Sequence, residues 1–145
     1  MSYTFNNHFS ANKAIMEKVG QIASDKLRVP SPEERILRAK LIVEEALETV
    51  EALGVDYIMG RFIDAGEDQY DPKGVLDGVC DIAVVSNGTL LCCGLHTVFE
   101  DALNRVDVNN WSKVKDGVIR NADGKYQKPP GYVPVVLDDL IESVS

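Results

Sequence analysis

Between Glu44 and Glu51 four glutamates, Glu44, Glu45, Glu48 and Glu51, fall within eight residues of a segment, VEEALETVEALG, whose other positions carry the apolar periodicity of a helix. Further along, VLDGVCDIAVV sets Asp77 and Asp81 one turn apart on one face of the most apolar helix expected in the chain. An unpartnered buried carboxylate costs on the order of several kcal/mol, and two neighbours cannot both stay ionised unaided. Local basic residues do not relieve this. Arg38 and Lys40 precede the glutamates, the weaker orientation for helical ion pairs, and the acids crowd the helix end whose dipole repels them. A helix selected only for a solvated acidic stripe tends to do the reverse. Oxygen-only donors select a hard divalent cation, Mg2+ or Mn2+, over metals that favour His and Cys. Di-iron bundles need Glu-x-x-His pairs, and neither His8 nor His96 has a glutamate three residues before it.

Helices must position these groups. Ser10 is expected to cap a first helix running to about Lys26, with Ile15, Val19, Ile22 and Ala23 inward. Ser31, Pro32 and Glu34 form a capping box for the second, which stops at Gly54. Its main apolar face comprises Ile36, Ala39, Val43, Ala46, Leu47, Val50 and Leu53, with Leu37 and Leu41 on the acidic side. Residues 55–70 read as a connection with a short irregular helix. Asp71 and Pro72 start a third helix that runs apolar almost all round to Gly94 and is expected to be the central buried one, with Gly74, Gly78 and Gly88 permitting close approach. Thr97 with Glu100 opens a fourth helix to about Val108, with Phe99, Ala102, Leu103 and Val106 inward. NADG then turns between two short extended pieces, and a PPGYVP loop leads to a helical turn at Leu137–Ile141. The fold class is all-α: a four-to-five-helix bundle, core 10–113, with a non-helical C-terminal extension 114–145, in one domain over 1–145.

Composition limits the partners. With Lys+Arg 15 against Asp+Glu 23, a net charge of −8 disfavours nucleic-acid polymers and anionic membranes. Cys80, Cys92 and Cys93 lie in one apolar run without metal-ligand spacing and read as reduced, buried thiols of a cytoplasmic protein. The N-terminus shows no secretory signal, and the apolar run Ile82–Leu95, broken by Ser86 and Asn87, is short for a membrane span. The apolar third helix offers more surface than four helices easily cover, so a homodimer or homotetramer is expected.

Glu-Glu-x-x-Glu at Glu44–Glu48, 28 intervening residues, then Asp-x-x-x-Asp at Asp77–Asp81, followed by NNWSKV and KPPGYVP, resembles the MazG-like all-α nucleoside triphosphate pyrophosphohydrolases, in particular the phage and bacterial phosphoribosyl-ATP pyrophosphohydrolase-like subgroup. The resemblance covers roughly residues 32–134. It implies a cytoplasmic enzyme that hydrolyses a nucleoside triphosphate to the monophosphate and pyrophosphate and assembles its sites across subunits. By position, Glu45, Glu48, Asp77 and Asp81 would hold Mg2+ or Mn2+, and Glu44 would be an outer ligand or the base that orients water. Asn110 and Lys113 would reach the phosphates, with Lys113, Lys125 and Lys128 offsetting charge on the leaving group. Phe5, Phe9, Asn12 and Asn87 are candidates to line the base pocket. The sequence departs from the family at Gly78, where many members carry glutamate. Phosphoribosyl-ATP hydrolysis and a catalytically silent helical binding or regulatory module are the alternatives.

Overall fold

The computed structural model describes residues 7–145. Its helices are α1 (His8–Lys18), α2 (Pro32–Ala52), α3 (Pro72–Cys93), α4 (Phe99–Ser112) and α5 (Asp138–Ser143), with a hairpin β1 (Val55–Ile58) and β2 (Arg61–Asp64) between α2 and α3. The fold is mostly helical, as expected. Several expectations about its parts need correction.

The start of α1 is Asn7, whose side chain accepts from Ser10 N while Ser10 Oγ accepts from Asn7 N, so Ser10 closes the capping box from the third position instead of being the cap. The helix ends at Lys18, not near Lys26, and Gly20 follows with φ 80°. Its buried residues are Asn12 and Met16, whereas Ile15, Val19 and Ile22 are exposed. Met16 joins Leu91 and Cys92 in the small core, against which Phe9 and Ala23 pack.

The capping box of α2 forms as read, and Glu34 goes further. Its carboxylate takes Ser31 N at 2.6 Å and both arms of Arg28 at 2.9 and 2.8 Å, while Arg28 Nη1 also donates to Cys92 O. The segment between α1 and α2 thereby satisfies the carbonyls at the C-terminal end of α3, with Ser24 N and Arg28 N bonded to Leu91 O and Cys93 O. Gly94 ends α3 in the left-handed conformation, φ 72°, directly under the Lys26 carbonyl, where no Cβ fits.

Residues 55–70 contain the hairpin, missed in the sequence, and a 3-10 turn at Glu67–Gln69 that corresponds to the short irregular helix. Tyr57 pairs with Phe62 across the strands, and the turn places Met59 at φ 50° and Gly60 at φ 78°. A methionine in left-handed geometry gives no turn signal, which is why the alternation VDYI/RFID was not read as strands. At the stem, Asp71 N donates to Ala52 O and Ala65 N to Gly54 O. This ties the end of α2 to the start of α3.

From there α2 and α3 run antiparallel at close range. A Cβ on Gly74 would meet Ala52 Cβ at 3.1 Å, one on Gly78 would clash with the Thr49 side chain, and one on Gly88 would lie 2.5 Å from Arg38 Nη1. The contact face of α2 is therefore Arg38, Leu41, Glu45, Thr49 and Ala52, a strip beside the exposed glutamates, because Thr49 and Ala52 there meet glycines. The expected apolar face points the other way: Ile36, Ala39, Val43, Leu47 and Leu53 are exposed. Likewise α3 is not buried all round. Leu76, Val79 and Val84 are exposed, as is Cys80; Cys93 is half-buried and only Cys92 is the buried thiol expected of all three. By length and composition alone α3 suffices to cross a membrane, with a mean hydropathy of 1.5, longer than the run read from the sequence. Its glycine row packs against α2 instead of lipid.

The fourth helix begins without a side-chain cap. Residues His96–Val98 already form a 3-10 turn, so Thr97 is not in the extended geometry a cap requires. Leu103 is exposed, while Phe99, Ala102 and Val106 are half-buried. The C-terminal extension is not wholly irregular, since α5 closes it. NADG turns between Arg120 and Tyr126, which bridge as expected, and Arg105 on α4 grips Asp139 through both arms at 2.7 and 2.8 Å.

The chain exposes 10751 Å2. A folded monomer of its 15.9 kDa mass typically exposes about 7,400 Å2. Of that excess, residues 1–6 account for at most about 1,100 Å2 even fully extended. What remains is spread over the α2 apolar face, the outer side of α3, a hairpin whose Met59 is 95% exposed, and α4 with the C-terminal segment, where Val108, Trp111, Val133 and Val136 are exposed too; a dimer interface would cover part of it. A lone two-stranded hairpin is marginal in water and needs such cover.

Two outcomes are expected. Light scattering at micromolar concentration should give at least twice the 15.9 kDa chain mass, and Leu47→Glu should reduce it; a 15.9 kDa species in the wild type contradicts this. Gly78→Ala should lower stability by about 1–3 kcal/mol in urea titration, because the methyl meets Thr49 Cβ and Cα, which cannot swing away. Unchanged stability would mean that the α2–α3 contact is looser than described.

Candidate functional site

The α2–α3 register decides which acids meet. With Ala52 against Gly74, Thr49 against Gly78 and Arg38 against Gly88, the intervening Glu45 falls opposite Asp81, with Asp77 one turn away. The electrostatics agree. Burial first, then the charges of Asp81, Glu48, Glu44 and Asp77 in that order, raise the Glu45 pKa above its ordinary 4.5. Four of the acids named from the sequence thus bear on the fifth, Glu45, while Glu51 takes no part.

None of these five side chains forms an ion pair or a hydrogen bond to a basic group among the described residues, where the only ion pairs are Lys13–Asp25, Arg28–Glu34, His96–Asp25 and Arg105–Asp139. Glu45 is half-buried and Asp81 likewise, while Glu44, Glu48 and Asp77 are exposed. Thr49, buried beside them, is satisfied by donating to Glu45 O at 2.7 Å. The donor set is all oxygen, as a hard cation requires, but among the described residues no three carboxylate, His or Cys groups converge closely enough to grip an ion as they stand.

The basic candidates collect elsewhere. Lys113 Nζ donates to Asn110 Oδ1 at 2.8 Å and lies 5.3 Å from the centre of the Tyr132 ring; Lys128 Nζ lies 5.1 Å from the same centre. The Tyr132 hydroxyl donates to Asn109 Oδ1, and Asn109 Nδ2 donates to Val133 O, which fixes the KPPGYVP segment on α4. One aromatic ring therefore gathers two ammonium groups, neither paired with a carboxylate among the described residues. Lys125 is exposed in the NADG turn and joins neither contact. Among the elements, α4 packs broadly only on the 3-10 turn before it, and has no broad contact with α2 or α3.

The base-pocket candidates separate. Asn12 is buried and lines a cavity of about 140 Å3 with Arg38 and Gly88. Phe9 instead packs on the core, 6.0 Å edge-on from Phe99 and 5.8 Å from His96; Asn87 is half-buried and lines no cavity described here. Phe5 lies outside the described residues. Sequence reasoning missed Tyr132, which reads as loop, and Arg38, which reads as a helix-surface charge. No family model and no curated protein matches the chain.

Two acid-base consequences follow. Native Glu45 holds its proton more tightly than in the unfolded chain, so it weakens the fold above its raised pKa, an effect that fades as pH falls through that value toward 4.5. Glu45→Gln should therefore raise the melting temperature of metal-free protein at neutral pH and lose its advantage below 4.5. Equal melting at neutral pH would mean the acids do not confront one another. Glu34 behaves oppositely: Arg28 holds it down to about 2, so its contribution is present above 4.5 and lost as pH falls toward 2. Glu34→Gln should narrow its deficit against wild type over that interval.

Proposed function

We propose that this protein is a metal-dependent nucleoside triphosphate pyrophosphohydrolase of the MazG-like kind, acting as an oligomer. What supports the reading is one observation: four acids on the two facing helices bear on Glu45, with no basic partner for any of the five among the described residues. Such a face calls for a cation. Glu45, Glu48, Asp77 and Asp81 would hold Mg2+ or Mn2+, which when bound neutralises the triphosphate and makes a water more acidic. Glu44, exposed at the rim, would orient that water for attack at the α-phosphorus. Lys113, with Asn110 fixing its ammonium, and Lys128 would hold the departing pyrophosphate. No Ser/His or Cys/His pair is needed, and attack by water leaves no covalent intermediate.

The lysines sit on a part of the chain that has no broad contact with the acidic face, while the apolar side of α2 is open. In the oligomer the phosphate-binding lysines would come from a neighbouring copy, as the resemblance implies for sites assembled across subunits. The wide spacing of the acids, and Gly78 in place of glutamate, favour the second reading, a silent helical module that binds nucleotide without turnover.

Incubation with each common NTP and dNTP plus Mg2+ should yield monophosphate and pyrophosphate, with oxygen from labelled water in the monophosphate. Orthophosphate as first product, or binding without turnover, rules the reading out. Asp81→Asn and Glu48→Gln should each cut kcat by about a hundredfold or more. Near-normal activity in either would remove the metal assignment. Mixing Asp81→Asn with Lys113→Ala protein should restore activity that neither has alone; no recovery would place lysine and carboxylates in the same chain.

A further inference from the structure

Arg38 is 7% exposed, yet its one hydrogen bond among the described residues is from Nη2 to Gln21 Oε1 at 2.8 Å, and no carboxylate lies within ion-pair reach. Among the described residues His96 Nδ1 is the one fully buried side-chain atom left without a partner, so the unpaired Arg38 nitrogens still reach the flanking space, and a guanidinium held by one neutral acceptor has donors to spare for a further one. The surroundings make room for one. Gly88 gives way to Nη1, where a Cβ would intrude to 2.5 Å, and cavities of about 430 and 140 Å3 flank the guanidinium, both lined by Met16, Gln21 and Arg38. Asn12, 6% exposed and without a side-chain hydrogen bond among the described residues, lines the smaller one. Two polar side chains, both more than nine-tenths buried, thus border one cleft between α1, α2 and α3. The remaining walls, Ile15, Val19, Leu41, Val84 and Val85, are apolar and suit a flat ring better than a hydrated anion.

Arg38 and Glu45 are seven residues apart on one face of α2, two turns or about 10.5 Å. This is comparable to the reach from the outer edge of a nucleobase to the α-phosphate of the same nucleotide. We infer that the Arg38 cleft is the base-recognition end of the site, and that its guanidinium selects bases presenting two adjacent acceptors, guanine through O6 and N7 or cytosine through O2 and N3, over adenine, thymine and uracil. The inference rests on the reading of the protein as a nucleotide-binding hydrolase. Gln21 occupies one arm and holds the plane of the fork, leaving the other donors for the ring. Adenine sets an amino donor beside each ring acceptor on its exposed edges, and thymine and uracil set N3–H between their carbonyls, so each turns a donor toward the guanidinium.

The test is binding of dGMP, dCMP, dAMP and dTMP to the full chain by calorimetry without metal, so that hydrolysis plays no part. At least one of dGMP and dCMP should bind about tenfold or more tightly than dAMP and dTMP, and which of the two does so identifies the base. Arg38→Lys, which keeps the charge but not the fork, should bring the four within about threefold. Gly88→Ala, which favours the helix but displaces Nη1, should do the same, with circular dichroism confirming that both variants fold. Equal binding of all four by wild type, no binding of any at millimolar concentration, or discrimination that survives both variants would overturn the inference. So would displacement of dGMP and dCMP by inorganic phosphate that requires Arg38, which would make the cleft an anion site. Selective binding without hydrolysis would leave the cleft standing and remove the hydrolase reading; hydrolysis without selection that depends on Arg38 would do the reverse.

Discussion

The close approach of α2 and α3 governs the rest of the molecule. Three glycines on α3 meet Ala52, Thr49 and Arg38 on α2, and any methyl added there runs into its partner. Small residues at a helix contact usually serve packing alone. Here they also draw two acidic helix faces together, because the row that carries Thr49 and Ala52 carries Glu45 as well. The hairpin stem, with Asp71 N on Ala52 O, sets the register, and the Arg28–Glu34 pair secures the far end against Cys92. Those two anchors fix which acids of α2 and α3 lie level with one another.

The same contact explains where the apolar surface goes. By turning the strip that holds Arg38, Glu45, Thr49 and Ala52 to α3, α2 leaves Ile36, Val43 and Leu47 outward, and α3 leaves Leu76, Val79 and Val84. In a chain that folded alone these groups would be the core, and their exposure would oppose folding. Polar groups at the helix contact and apolar groups at the surface are one choice seen from two sides. It makes physical sense if another copy of the chain supplies the missing half of the core.

The clustering of the acids was more legible in the sequence than the packing. Capping signals marked both ends of α2 and α3, and carboxylate spacing named the acids that the register brings to bear on Glu45. Amphipathicity misled for α2, since hydrophobic periodicity shows which face avoids water and not which helix covers it. The glycines were noticed as permitting close approach, but not as deciding which face of α2 would make it. Single-residue geometry hid the rest. Met59 in a left-handed turn concealed the hairpin, and Arg38, considered only as a helical ion-pair partner, gave no sign that Gly88 and Gln21 would enclose it.

The account stands on the claim that the α2–α3 acids exist to hold a divalent cation. Titration of Mn2+ into the wild-type protein by calorimetry, at neutral pH and in acid, addresses it most directly. Saturable binding is expected that weakens as the carboxylates are protonated and is lost in Asp81→Asn. Absence of saturable binding both with and without a nucleotide, or binding that Asp81→Asn leaves unchanged, would contradict it.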